Sequence, residues 1–224
     1  SRFDECKKFF DDMLSGVEVD SNIIADEIDN KPEKNGGHMT FKTNGSVDAD
    51  VLQGACREMK ITENTLFLGA FAYALAKQSG QELALLCAVE NGRHIPELKN
   101  TFGMLVHTLP LCIEAKDSED TRDYLAKVQN ILFESLDHDL VSIVQLASEY
   151  EVNSDILFVY QGEMFSGVEF EGRTVHSRLH KTGDAMAKLS VDVFKSKLGW
   201  GPVFRTRGGQ SSNPYEGATY TKYQ

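Results

Sequence analysis

The stretch that decides the fold runs from Cys87 to Leu111 and reads C-A-V-E-N-G-R-H-I-P-E-L-K-N-T-F-G-M-L-V-H-T-L-P-L. It begins inside an apolar run, Leu83 to Val89, whose length and polar flanks fit a strand buried on both faces. Gly92-Arg93 then turns the chain, and Gly92 can do so without steric cost because it has no Cβ. A polar loop extends from Glu90 to Asn100. Phe102-Gly103 leads into a second apolar run, Leu105 to Ile113, which reads as another buried strand. Gly103 permits close approach of a backbone or a ligand. The polar pair His107-Thr108 interrupts that second strand, and two readings of it stand open. The side chains are either satisfied by hydrogen bonds in a core, or they line a channel.

Working outward, Phe3, Cys6, Phe9, Phe10, Met13 and Leu14 share one helical stripe, with Gly16 as the residue that stops the helix. Residues 17–37 read as a long acidic connection. Met39, Phe41 and Thr43 alternate as a strand closed by Asn44-Gly45. Asp48 is placed to cap a helix running to about Lys60. A second helix starts near Thr65 with Asn64 as its cap and ends at Ser79-Gly80. Its Ala-rich surface predicts burial on most sides. Downstream, Thr121 to Leu136 is an amphipathic helix and Leu140 to Tyr150 a shorter one. Ile156–Tyr160, Val175–Leu179 and Leu189–Phe194 read as strands. The expected class is α/β (α+β), a mixed sheet flanked by helices. Residues 1–206 form one lobe. Residues 207–224 close a segment rich in Gly, Ser, Thr and Tyr from Trp200 onward, and read as loop or disorder.

Bulk properties narrow the function. The chain has 224 residues, 41% apolar and 25% charged, which suits a folded core. A net charge of −11 argues against a nucleic-acid partner, since phosphate binding needs a concentrated Lys/Arg surface. Cys6, Cys56, Cys87 and Cys112 form no C-x-x-C pair and read as free thiols of a cytoplasmic protein. No signal peptide and no membrane span stand out. The chain starts without Met and runs straight into a helix, as an excised piece of something longer would. There is no P-loop, no G-x-S-x-G elbow and no dinucleotide-binding glycine pattern. His176 and His180 fall on the Val175–Leu179 strand and its end, where they would lie about 13 Å apart, too far to share a metal. The acidic residues of 18–33 lack the alternating ligands and central Gly of a calcium loop.

Taken in order, these segments resemble a condensation domain of nonribosomal peptide synthetases. Gly92-Arg93, Pro96-Glu97-Leu98 and Phe102 to Leu109 match a Gly-Arg turn, an acidic helix start and an "I-G-x-F-V-N-T-L" segment. Phe9-Phe10 to Gly16 resembles the family's "yWkeqLaG" helix, and Thr65 to Gln81 its helix ending in "sGqdd". His138-Asp139 is similar to "H-q-D", Phe158-Val159-Tyr160-Gln161 to "F-V-L-Q", and Ala187 to Val193 to "fdLslDV". The resemblance spans residues 3–194. Departures are His107 where Asn is usual, Leu111-Cys112 where an Arg is common, Leu140 to Ile143 in place of "P-F-E", and Asp155 where a Gln falls.

The resemblance implies the C-terminal lobe of such a domain, similar to half of a chloramphenicol-acetyltransferase-like fold. The family's H-H-x-x-x-D-G motif belongs to the other lobe, and no His-His pair occurs in this chain. Gly92, Arg93, Phe102, Gly103, His107 and Thr108 are then expected along a substrate tunnel or its floor, with His138 and Gln161 as weaker candidates. The implied partners are the N-terminal lobe and acyl or peptidyl carrier domains, whose phosphopantetheine arms carry the substrates. No metal or directly bound cofactor is implied. Epimerisation or cyclisation relatives, a non-catalytic carrier-binding module and an unrelated acyltransferase half are the alternatives.

Overall fold

The computed structural model describes residues 1–17, 37–42, 48–93, 95–117, 119–150, 152, 155–162, 169–174, 187–196 and 199–208. The elements run α1 (Arg2–Leu14), β1 (Gly37–Lys42), α2 (Ala49–Met59), α3 (Glu63–Gln78), β2 (Leu83–Glu90), β3 (His107–Glu114), α4 (Thr121–Asp137), α5 (Ile143–Tyr150), β4 (Ile156–Gly162), β5 (Glu169–Phe170), β6 (Arg173–Thr174), β7 (Leu189–Ser196) and β8 (Gly199–Gly208). Six strands form one mixed sheet in the order β1-β8-β7-β4-β2-β3, and β5 pairs with β6 apart from it. β2, β4 and β7 run parallel to one another. β3, β8 and β1 are antiparallel to their neighbours. The carboxyl ends of β2, β4 and β7 therefore share one edge with the first residues of β3 and β8. Pro110 lies in β3, an edge strand, where a residue without an N–H is tolerated.

Period-2 alternation decides the layers. Leu86 of β2, Leu111 and Ile113 of β3, Ile156 and Phe158 of β4, and Leu189, Val191 and Val193 of β7 join one buried cluster. Against it lie Leu68, Ala72, Leu75 and Ala76 of α3 and Leu125, Val128 and Leu132 of α4. A second cluster gathers Cys6, Phe10 and Leu14 of α1 with Leu85, Leu109, Val141 and Leu146, closing the sheet at its β3 end. The mixed sheet flanked by helices is the architecture expected.

Several details differ from the sequence reading. The cap of α3 is Thr62, whose hydroxyl accepts the Thr65 N–H at 3.0 Å. Asn64 sits inside the first turn, and its amide donates to Glu90 instead. α3 is covered on most sides as expected: only Ala70, Tyr73 and Ala74 are exposed, and the partly buried Leu66, Phe67 and Phe71 pack against the main cluster. Its small residues serve close packing: a Cβ on Gly69 would stand 2.5 Å from Leu125 Cδ2, and the Tyr124 hydroxyl donates to the Gly69 carbonyl at 2.7 Å. β3 starts at His107 rather than Leu105, because the Leu105 carbonyl is pressed against Gly92 outside the ladder. The last segment is a strand as far as Gly208, two residues into the expected tail. Pairing with β7 on one side and β1 on the other overrides its loop-like composition. Residues 209–224, Thr43, Asn44-Gly45, Val175–Leu179 with His176 and His180, and the acidic 18–33 segment lie outside the described residues. Among the described residues no helix is long and apolar enough to cross a membrane.

Candidate functional site

Sixteen residues, 91–106, join β2 to β3 with one short 3₁₀ turn, Pro96–Leu98. Connections of that length are uncommon in compact domains and are usually either functional or linker segments. Arg93 ties this one together. Its backbone N–H donates to Asn91 Oδ1 at 2.8 Å, and its guanidinium donates to the carbonyls of Asn91 (3.1 Å), Thr101 (3.4 Å) and Gly103 (2.9 Å). Gly92 adopts φ +64°, and a Cβ there would overlap the Leu105 carbonyl oxygen. Gly103 has φ +150° with open space beside it. The loop so held turns Phe102 and Met104 fully into solvent and leaves Ile95 and Val106 largely exposed.

Beside the loop, polar side chains line the strand-end edge. On the helix side three pairs follow one another from β4 to β3. The Tyr160 hydroxyl donates to Glu63 at 3.0 Å, Asn64 Nδ2 donates to Glu90 at 3.2 Å, and His107 Nδ1 lies 3.1 Å from Asp139 Oδ2. Glu90 and His107 are direct partners in the β2–β3 ladder. A groove of about 500 Å³ continues from this row past Cys56, Arg57, Thr62, Glu63 and Tyr160. On the other face Asp192 of β7, 2% exposed, accepts from Ser190 at 3.0 Å and from Gln161 at 3.5 Å. Gln161 is the extra residue of a β-bulge, since Tyr160 pairs with Val193 and Gly162 with Phe194. Bulges of this kind re-aim side chains beside functional sites.

The structure thus gathers Gly92, Arg93, Phe102, Gly103 and His107 at one place, with Thr108 next along β3, half-buried opposite Val89. Gln161 sits on the same edge across β4. His138 does not join them. It ends α4, its Nδ1 meets the Glu134 carbonyl at 2.6 Å, and its ring stacks on Phe9 of α1 at 4.3 Å. Sequence reading missed Glu63, Asn64, Glu90, Asp139, Tyr160 and Asp192, because each looks ordinary until the strand ends are brought together. The acidic residue inside the otherwise apolar Leu189–Phe194 run was the one visible signal.

The chemistry offered is hydrogen bonding rather than thiol nucleophilicity. Burial pushes the Cys87 thiol up to about 12, and burial followed by Glu114's charge pushes Cys112 up to about 11. Cys56, in the groove, is raised first by burial and then by Glu63. Reactive cysteines show the opposite shift.

With this geometry in place, the family model for the condensation domain matches residues 1–183. The chain belongs to the condensation domain family. The nonribosomal peptide synthetase sidC of Arthroderma benhamiae is 29% identical over 123 residues, 52% of this chain and 2% of that protein. Bacitracin synthase 1 of Bacillus licheniformis is 28% identical over 154 residues, 65% of this chain and 3% of that protein. Among solved structures, the four-domain nonribosomal peptide synthetase AB3403, bound to AMP and glycine, superposes with a TM-score of 0.73 at 17% identity. That match covers 92% of this chain and 18% of the other. The first condensation domain of the CDA synthetase gives 0.65 at 15% identity, covering 92% of this chain and 44% of that one. The chain spans only 2% and 3% of these two curated relatives, which are synthetases, and 44% of the solved condensation domain.

Proposed function

We propose that this chain is the C-terminal lobe of a condensation domain that joins carrier-borne acyl or peptidyl thioesters to an amine, forming an amide bond. The observation that carries the reading is the held loop 91–106 beside the polar strand-end edge, on a chain about half as long as the solved CDA condensation domain. In this reading the edge forms one wall of a tunnel between two lobes. Phosphopantetheine arms deliver the substrates to it, and the N-terminal lobe supplies the H-H-x-x-x-D-G motif. Holding two thioesters together accounts for much of the rate such a domain provides. The exposed Phe102 and Met104 fit a surface that meets the other lobe.

The test compares this chain with a longer one that includes the upstream lobe, each supplied with an acyl-loaded and an aminoacyl-loaded carrier domain. Amide is expected only from the longer chain. Turnover by this chain alone would refute the division of labour. Carrier binding without turnover by either would favour a non-catalytic carrier-binding module.

A further inference from the structure

We propose that the groove beside the strand-end edge is a subsite for an acidic side chain on one of the two joined substrates, read by Arg57 and Lys60; this deepens the amide-forming function proposed above and rests on it. The groove, about 500 Å³, opens off the polar edge at Glu63, Asn64 and Tyr160 and runs to Arg57 and Lys60 at the end of α2. In that function the two thioesters meet at the edge, so what enters the groove is a branch close to the reacting carbons. A substrate's side chain is such a branch. The phosphate of a carrier arm is not, since it lies at the opposite end of the arm from the sulfur.

The charges single out the ligand. The chain carries a net charge of −11, and many of its cations are taken by carboxylates: Lys7 by Glu149, Lys77 by Asp117, Lys127 by Glu119. Among the described residues Arg57 and Lys60 are not paired in this way. Glu58, between them in sequence, is drawn off to α4, where the Arg122 guanidinium donates to its carbonyl at 3.2 Å and to its carboxylate at 3.1 Å. The other charge in the lining is Glu63, whose carboxylate accepts the Tyr160 hydroxyl at 3.0 Å.

The cations stand on a fixed corner. Lys60 has φ 57°, in the left-handed region where a residue with a Cβ is uncommon. Strained backbone of this kind persists where neighbours over-determine it, and it clusters at ligand sites. Gln129 of α4 supplies the constraint. Its Nε2 donates to the Lys60 carbonyl at 3.1 Å, and its Oε1 accepts the Thr62 N–H at 2.9 Å. The Ile61 N–H closes the corner on the Cys56 carbonyl at 3.0 Å. A corner held in advance spares a carboxylate the entropy of ordering it at each binding event. Asn64 adds a complement. Its Nδ2 is given to Glu90, while its buried Oδ1 has no donor among the described residues and can accept an N–H of the substrate.

The experiment takes the longer chain, upstream lobe included, with carrier domains loaded with aspartate or glutamate against asparagine or glutamine. Each is offered at the donor position and then at the acceptor position. At one of them the acid should be joined with kcat/KM about 10-fold above its amide. Arg57→Gln combined with Lys60→Gln should erase that preference. Arg57→Glu combined with Lys60→Glu should invert it and favour lysine. Lys116→Gln, the same loss of charge past the far end of β3, should keep the wild-type ratio. Should the double variants melt early, Lys60→Gly removes the amine while relieving the left-handed backbone, and it should lower the same ratio. Equal kcat/KM for acid and amide at both positions overturns the subsite and leaves amide formation standing. A loss in the double variant that is equal for every side chain, and absent with free pantetheine thioesters, assigns the cations to the arm's phosphate and overturns it too. No amide from any wild-type pair removes the amide-forming function, and the subsite with it.

Discussion

Phe158 and Phe102 are the same side chain in opposite circumstances. Phe158 sits mid-strand in β4, 1% exposed, with Phe71 stacked at 6.0 Å. Phe102 stands on a loop with its ring wholly in solvent, flanked by Met104 in the same state. The first is where apolar surface drives folding. The second contributes nothing to the fold, yet Arg93 and Gly92 hold the backbone beneath it in one shape. A loop that only connected two strands would need neither the clamp nor the exposed ring. The difference separates residues that make the sheet from residues that the sheet displays.

The sharpest way to break that separation is to truncate both rings. Phe158→Ala should destabilise the chain by about 3–5 kcal/mol, the transfer and cavity cost of a fully buried aromatic. A urea midpoint that barely moved would mean that the main cluster is not the fold's foundation. Next in size is Gly92→Ala. A residue with a Cβ in the left-handed region costs about 1–2 kcal/mol, and the overlap with the Leu105 carbonyl adds about 1–3 kcal/mol. Gly103→Ala, with open space beside it, should carry only the backbone part. Equal losses at the two glycines would show that the Leu105 contact is not what fixes the loop.

Much of the sheet was legible because its signal is local. Leu83 to Val89 reads as a strand buried on both faces because nearly every one of its side chains is covered. Thr121 to Leu136 reads as a helix because its apolar residues recur at helical spacing. The last strand was not legible. Gly199–Gly208 is rich in Gly and Arg, and what makes it a strand is two partners far away in sequence. The candidate site divides in the same way. Gly92, Arg93, Phe102 and His107 lie within sixteen residues and could be found as a motif. Glu63, Asn64, Asp139 and Tyr160 reach the same edge from three other segments, and nothing in their local sequence marks them. Asn64 looked like a helix cap for that reason: a cap is the local explanation of an Asn before an apolar run, and its bond to Glu90 is not local.

A smaller effect tests how tightly the sheet interior is closed. The Cys87 thiol is raised from 9.0 to about 12 by burial, and Cys112 to about 11 by burial and then by Glu114. The folded state holds these protons more firmly than the unfolded chain does. The stabilisation is therefore complete below about pH 9 and is lost as pH rises, through about 11 for Cys112 and about 12 for Cys87. At pH 10, one unit above the ordinary value, Cys87 alone should cost about 1 kcal/mol. Comparing urea midpoints at pH 7 and pH 10 in wild type and Cys87→Ala isolates this share. An identical loss in both would mean that the interior admits thiolate or water there.

The smallest expected effect on stability is the most telling for function. Phe102→Ala should change unfolding by no more than about 0.5 kcal/mol, since an exposed ring away from any packing leaves little to lose. Its amide hydrogens should exchange as in wild type, because the Arg93 bonds run to backbone carbonyls and not to the ring. Arg93→Ala should do the reverse, keeping the ring and speeding exchange across residues 91–103. If the loop is shaped in order to present Phe102, then both variants should weaken association with the upstream lobe supplied as a separate chain, and by comparable factors. The Phe102 variant would act by removing contact area, and the Arg93 variant by adding the entropy of ordering the loop to every binding event. Loss of association in one variant and not in the other would show that the ring and the clamp serve different ends.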